Sequence, residues 1–98
     1  MNKTIARSIP VAERLAQVSE ECAELIQACL KLIRVFSETN PAAITEEQAF
    51  ENLYEEVADV QLCLEQLSLP WSYIDEIKRK KEKRWVERLL NAEKAEKA

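Results

Sequence analysis

The sequence predicts an all-α protein, a helical hairpin followed by a third helix, and three observations lead to this fold class. The 98 residues contain no glycine, so the tight β-hairpin turns that need positive φ are not expected. Apolar residues alternate at steps of three and four along two long segments, as on the buried face of a helix. The strongest turn signals lie between the segments. We expect a single domain over residues 1–98, with 1–8 as an N-terminal arm and 91–98 as a frayed C-terminal tail.

The first helix is predicted from about Pro10 to Phe36. Ser8 is the expected N-cap, and Pro10 is tolerated in the first turn. The apolar stripe of this helix steps by four and three without a break, which is typical of a helix that packs nearly parallel or antiparallel to a partner. The stripe consists of Val11, Leu15, Val18, Cys22, Leu25, Cys29, Leu32 and Phe36. Cys22 and Cys29 are expected to be buried, reduced thiols.

The second helix is predicted to start at Thr45, which fits a capping box with Gln48. The connection before it contains Asn40-Pro41, a turn signal. Its apolar stripe again steps by threes and fours and consists of Phe50, Leu53, Val57, Val60, Leu64 and Leu67. Pro70 ends the helix.

The third helix follows Pro70, with Ser72 as its expected N-cap and Asp75 three residues later. Residues 71–98 contain nine basic and six acidic side chains, whereas residues 1–70 contain five basic and twelve acidic ones. An acidic body with a basic last helix lacks the broad basic face of a protein that binds a nucleic acid polymer.

A row of basic side chains follows the inward stripe that Ile74 begins on the third helix. Steps of one turn lead to Lys81, Arg84 and Arg88. The long stem of Lys81 can lie along a core while its ammonium reaches a wet cleft. The row could contact the phosphates of a nucleotide. The alternative at this point is pairing with acidic residues of the hairpin.

Composition limits the environment of the chain. Hydrophobic residues make up 47% of the sequence, more than three helices of this size can hide, so self-association is expected. The three cysteines include no C-x-x-C spacing, and an odd number of cysteines without a signal peptide indicates the cytoplasm. No segment approaches the apolar length of a membrane span.

Two acidic motifs stand out: Glu20-Glu21-Cys22-Ala23-Glu24 and Glu55-Glu56-Val57-Ala58-Asp59. Each motif places carboxylates at i and i+3, which share one face of a helix. Four carboxylates in a chain without histidine favour a hard divalent cation, Mg²⁺ with Mn²⁺ as a substitute, over zinc. Glu20 and Glu55 point further out, toward solvent.

The two motifs are predicted to lie at one level of the hairpin. The midpoints of the Glu21–Glu24 pair and of the Glu56–Asp59 pair are equidistant from residue 40, in the predicted turn. Residues equidistant from the turn are level in an antiparallel pair, whose axes lie about 8–10 Å apart. Both pairs are displaced to the same side of their apolar stripes. We therefore expect the four carboxylates to converge on one cation or on a pair of cations.

Other interpretations stay open. Acidic pairs in a chain with 33% charged residues are often solvated helix faces, which would make the protein a non-catalytic helical-bundle regulatory or nucleotide-binding module. Four close carboxylates without a cation would repel and raise one another's pKa values, which favours a metal site. A di-metal carboxylate oxidase is disfavoured, because such bundles use Glu-x-x-His pairs.

The motifs resemble those of a known family. Glu20-Glu21-Cys22-Ala23-Glu24, followed by Glu56-Val57-Ala58-Asp59, is similar to the EExxE…ExxD signature of the MazG-like, all-α nucleoside triphosphate pyrophosphohydrolases. The segment from Lys81 to Leu89 resembles the basic C-terminal helix of that family. The resemblance covers about residues 10–90. It implies an all-α NTP pyrophosphatase-like fold that assembles into a four-helix-bundle-type homodimer or homotetramer.

The resemblance also implies an activity. Members of the family hydrolyse the α–β phosphate bond of a (deoxy)nucleoside triphosphate, giving a monophosphate and pyrophosphate, often in house-cleaning of nucleotide pools. Carried over by position, the Mg²⁺ ligands would be Glu21, Glu24, Glu56 and Asp59, and the phosphate contacts would be Lys81, Arg84 and Arg88. Either Glu21 or Glu24 would then be the catalytic residue that activates the attacking water.

Overall fold

A computed structural model describes residues 1–37 and 44–97. The helices in these ranges are α1 (Lys3–Ser8), α2 (Val11–Ser37), α3 (Glu46–Glu65) and α4 (Trp71–Lys97), and no strand occurs in them. The all-α prediction is therefore confirmed. The predicted turn at Asn40-Pro41 lies outside the described residues. The chain divides into two compact units, Met1–Ser68 and Leu69–Ala98.

α2 and α3 pack against each other as an antiparallel hairpin. Arg14, in the first turn of α2, hydrogen-bonds to Gln66 just beyond the end of α3. At the opposite end, the ring of Phe36 packs edge-to-face on that of Phe50, with 5.8 Å between centroids. Contacts between the start of one helix and the end of the other fix the antiparallel direction.

The packed faces of the hairpin follow a strict alternation of steps of four and three. The buried and half-buried positions of this pattern are Arg14, Val18, Glu21, Leu25, Ala28, Leu32 and Val35 on α2, and Ala49, Leu53, Glu56, Val60, Cys63 and Leu67 on and just after α3. Ala28 and Ala49 are the most buried of the described apolar residues, with 5% and 1% of their surface exposed. Small side chains at these two positions permit close packing of the helices in the half of the hairpin where α2 ends and α3 begins.

This packed face differs from the stripe that the sequence predicts for the first helix. Val18, Leu25 and Leu32 belong to both, but four predicted members of the stripe are exposed: Val11, Leu15, Cys29 and Phe36. The prediction of a buried Cys29 thiol is therefore wrong, whereas Cys22 is half-buried. α2 carries apolar residues on more than one face, so periodicity alone cannot select the face that α3 covers.

The predicted N-cap at Ser8 is also wrong. Ser8 is the last residue of the short helix α1, for which Asn2 is the N-cap through hydrogen bonds from the amides of Thr4 and Ile5. α2 begins instead at Val11, where the carbonyl of Pro10 accepts a hydrogen bond from the amide of Arg14. The sequence predicts residues 1–8 as an arm because a six-residue helix shows no apolar periodicity.

The predicted capping box at the start of α3 is confirmed. The Thr45 hydroxyl accepts from the Gln48 amide, and the Gln48 side chain accepts from the Thr45 amide. α4, in contrast, begins at Trp71, and the Pro70 carbonyl accepts from the amide of Ile74. The predicted N-cap at Ser72 is therefore wrong, because this residue already lies inside the helix. None of the described helices has the length and apolar character to span a lipid bilayer.

Candidate metal centre

Four carboxylates meet across the hairpin, Glu21 and Glu24 from α2 and Glu56 and Asp59 from α3. One carboxylate oxygen of each residue lies within 4.8 Å of the corresponding oxygens of the other three. The structure thus brings together all four residues that the sequence predicts as metal ligands. Binding of a metal ion by them stays a prediction.

The cluster is placed by the packed faces of the two helices. Glu21 follows Val18 and precedes Leu25 at interface positions of α2, and Glu56 has the corresponding place on α3. Both residues are half-buried, while Glu24 and Asp59 are exposed. Since residues three apart share one side of a helix, the two exposed carboxylates extend the two half-buried ones toward solvent.

Two oxygen atoms of the cluster have unfilled hydrogen-bonding capacity. Oε2 of Glu21 and Oε2 of Glu56 are shielded from solvent, and neither accepts a hydrogen bond from any described residue. Buried polar atoms normally have a partner, because an unpaired one loses its interaction with water without replacement. An atom that supplies positive charge or a hydrogen bond would satisfy both oxygens.

The carboxylates also perturb one another electrostatically. Desolvation, followed by the charges of Glu24, Asp59 and Glu56, raises the pKa of Glu21 from 4.5 to about 7. Desolvation and then the charge of Glu24 likewise raise the pKa of Glu56. Both shifts have the direction expected when acids are held together without a counter-charge.

Cys63 borders the cluster from α3. Burial and then the charges of Glu21 and Asp59 raise the pKa of its thiol above the ordinary value of 9.0. Cys63 does not belong to the group of residues whose ligand atoms lie within 4.8 Å of one another. The donor set of the candidate centre consists of carboxylate oxygens, which suit hard cations such as Mg²⁺, Mn²⁺ or Ca²⁺.

A cleft of ≈ 320 Å³ adjoins the carboxylates on the side where α2 ends and α3 begins. Its lining consists of Glu24, Gln27, Ala28 and Lys31 from α2, and Asn52 and Glu56 from α3. Two of the four carboxylates therefore form one end of this cleft, and it continues past them along both helices. The cleft is the space into which a ligand held at the cluster could extend.

Lys31 and Gln27 are not among the site residues that the sequence predicts. A single lysine on a predicted helix is ordinarily solvated, so the residue type alone does not indicate a binding site. The available signal is spacing: Gln27 and Lys31 follow Glu24 by three and seven residues, which places them on the same side of α2. The cleft also depends on how the side chains of α3 pack against α2, and the spacing of residues along α2 does not predict this packing.

The basic residues predicted to bind phosphate lie on α4, in the second unit. Lys81, Arg84 and Arg88 are all exposed. Ile74 and Ile77 are half-buried, but no later described residue of α4 is. The inward orientation predicted for Lys81 is therefore not found in the described chain. Their role in binding phosphate stays a prediction.

Comparisons of the chain with protein-family models, with curated proteins and with solved structures found no match. The fold and the site define an all-α protein with a four-carboxylate candidate metal centre in a helical hairpin. This centre and its cleft are the structural support for a function.

Proposed function

We propose that this protein is a Mg²⁺-dependent nucleoside triphosphate pyrophosphohydrolase. It would cleave the α–β phosphate bond of a (deoxy)nucleoside triphosphate and release a nucleoside monophosphate and pyrophosphate, in a house-cleaning role. The single observation that carries the proposal is the cluster of four carboxylates from two helices within 4.8 Å. The reaction assigned to the cluster comes from the resemblance of its two motifs to those of the MazG-like family.

The carboxylates fit a hard divalent cation. They offer oxygen donors only, and two of their oxygens are shielded from water and accept no hydrogen bond from any described residue. A divalent cation would neutralise the mutual repulsion that raises the pKa of Glu21. Glu21, Glu24, Glu56 and Asp59 would hold the cation. When bound, Mg²⁺ supplies positive charge to phosphate oxygens and makes water more acidic.

A carboxylate of the cluster would act as the general base. Glu21 or Glu24 would accept a proton from the attacking water as the water oxygen forms a new bond to the α-phosphorus. The bond between the α-phosphorus and the bridging oxygen breaks in the same step, and pyrophosphate leaves with the bonding electrons.

We also propose that the protein is a cytoplasmic homodimer or homotetramer. Its cysteines are free thiols, as expected in a reducing compartment. Large apolar side chains of α2 are exposed in the single chain, among them Val11, Leu15, Ile26, Leu30 and Ile33. A second copy would cover these side chains, since contiguous exposed apolar surface is typical of association sites.

A substrate panel tests the proposed reaction. Ribo- and deoxynucleoside triphosphates are incubated with the protein and Mg²⁺, and pyrophosphate and orthophosphate are measured separately. We expect pyrophosphate from at least one substrate, and loss of activity by at least 100-fold with EDTA or in Glu56→Gln. The matched control is Glu55→Gln, which changes an exposed neighbour and should retain activity. Orthophosphate as the only product would contradict α–β cleavage, and nucleotide binding without any product would favour the non-catalytic module.

A further inference from the structure

We infer that Lys31 is a phosphate-binding residue, which contacts a phosphate oxygen of a nucleotide held at the carboxylate cluster. This inference rests on the proposed function and extends it, because it places the phosphate chain along the hairpin cleft. It also assigns a phosphate contact to the same compact unit as the carboxylates, in addition to the basic residues predicted on α4.

The position of Lys31 on α2 permits this contact. Lys31 follows Glu24 by two helical turns, a rise of about 10 Å. Both residues line the cleft. Helical side chains lean toward the N-terminus of their helix, which directs the long Lys31 side chain back toward the carboxylates. The ammonium and the carboxylates are thus suited to hold opposite ends of one extended ligand.

The charges of the cleft favour a ligand that carries both a cation and an anion. Glu24 and Glu56 form its acidic end, and Lys31 is the sole basic residue among the lining side chains. Lys31 forms no ion pair with either carboxylate, in contrast to Lys80, which pairs with Glu76 at 3.5 Å. The positive charge therefore remains available to a ligand that enters between them.

The remaining lining residues suit an extended polar ligand. Gln27 and Asn52 provide amide N–H donors from the two helices, and the buried Ala28 leaves room between them. The ≈ 320 Å³ of the cleft lies at the lower end of the range for small-molecule sites, about 300–1,000 Å³. An ammonium offers three donors and no acceptor, so it matches a phosphate oxygen better than the mixed donors and acceptors of a nucleobase.

Charge removal at Lys31 tests the inference. The variants are Lys31→Met, which keeps an unbranched apolar stem, Lys31→Arg, which keeps the charge, and Arg34→Met as matched control. Arg34 is exposed on the same helix and does not line the cleft, so its removal changes the net charge equally. The probes are Mn²⁺ alone, inorganic triphosphate with Mg²⁺, and the best nucleotide substrate of the wild-type protein.

We expect Lys31→Met to bind Mn²⁺ like the wild type, but to weaken inorganic triphosphate binding and to raise KM by about tenfold, as for loss of one charged hydrogen bond. Lys31→Arg should stay within about threefold of the wild type, and Arg34→Met should not differ from it. If the wild-type protein binds Mn²⁺ and cleaves nucleotides, but Lys31→Met binds inorganic triphosphate as tightly as the wild type, this inference alone would be overturned. A wild-type protein that binds neither Mn²⁺ nor triphosphate would overturn the proposed function and this inference with it.

Discussion

Glu21 and Glu56 place carboxylates on helix faces whose other buried and half-buried positions, apart from Arg14, carry apolar side chains or Cys63. Each has an oxygen that is shielded from solvent and has no hydrogen-bond partner among the described residues. An apolar residue at either position would pack against the facing helix without this electrostatic cost. A cation-binding role for the cluster would explain why the carboxylates are retained despite this cost, since binding sites are commonly maintained at the expense of stability.

Stability should depend on pH through Glu21. Its pKa is about 7 in the folded chain against an ordinary 4.5, so the folded chain holds the proton more tightly than the unfolded chain. The stability that this proton contributes is complete below pH 4.5 and is lost as the pH rises through 7. Binding of a cation requires ionised carboxylates, so stabilisation by a metal should increase over the same interval.

Melting temperatures between pH 5 and pH 8, in EDTA and in excess Mn²⁺, measure both effects. In EDTA we expect a fall with rising pH that is flattened in Glu21→Gln and retained in Glu20→Gln, since Glu20 is exposed. In Mn²⁺ the stabilisation should be small at pH 5 and reach several degrees at pH 8. A stabilisation that does not change with pH would show that Glu21 does not ionise on metal binding.

At the scale of the helices, a buried polar network lies at the end of the hairpin where α2 begins and α3 ends. Arg14 and Gln66 have only 8% and 6% of their surface exposed. Arg14 donates from Nη1 to the Gln66 carbonyl at 2.6 Å and from Nε to the Ile9 carbonyl at 2.9 Å. The Gln66 side chain in turn accepts from the amide of Asn2 at 2.9 Å. The Arg14 guanidinium thus donates to one carbonyl at the end of α1 and to one at the end of α3, where the helix dipole is negative.

Replacing Arg14 with methionine should destabilise the hairpin. Two carbonyls would lose charged hydrogen bonds in a buried setting, at a cost of about 2–3 kcal/mol. Urea denaturation measures the change in the free energy of unfolding, and Arg34→Met is the control because Arg34 is exposed on the same helix. A change of less than about 0.5 kcal/mol, the range of ordinary surface substitutions, would contradict a structural role for this network.

Local sequence signals predict some helix ends and miss others. Thr45 with Gln48 is a reciprocal cap that depends on two side chains three residues apart, so the start of α3 can be read from the sequence. Ser8 and Ser72 have the right chemistry for caps but belong to helices. The buried Arg14 is missed because its partners are backbone carbonyls of other segments, which no spacing reveals.

For the hairpin, the sequence predicts the candidate site better than the packing that supports it. The convergence of the acidic motifs follows from their equal distances from one turn, which does not depend on which apolar residues are buried. The packed face of α2 cannot be chosen in the same way, because apolar residues such as Leu15 and Ile26 lie outside it and remain exposed. The cleft that contains Lys31 depends on the shapes of two helices together.

For the whole molecule, the central claim is that carboxylates of α2 and α3 together form one binding site for a divalent cation. A titration with Mn²⁺, followed by the electron paramagnetic resonance signal of the free ion, measures this directly. Single replacements by Gln or Asn are made at the four carboxylates, and Glu20→Gln and Glu55→Gln are the matched controls. These control residues belong to the same motifs but are exposed and outside the cluster.

We expect saturable Mn²⁺ binding in the wild type and in both controls, with affinity reduced at least tenfold by each of Glu21→Gln, Glu24→Gln, Glu56→Gln and Asp59→Asn. Equal losses from variants on α2 and α3 would mean that one site uses both helices. Absence of Mn²⁺ binding at neutral pH, or binding that the four replacements and the two controls affect alike, would contradict the claim.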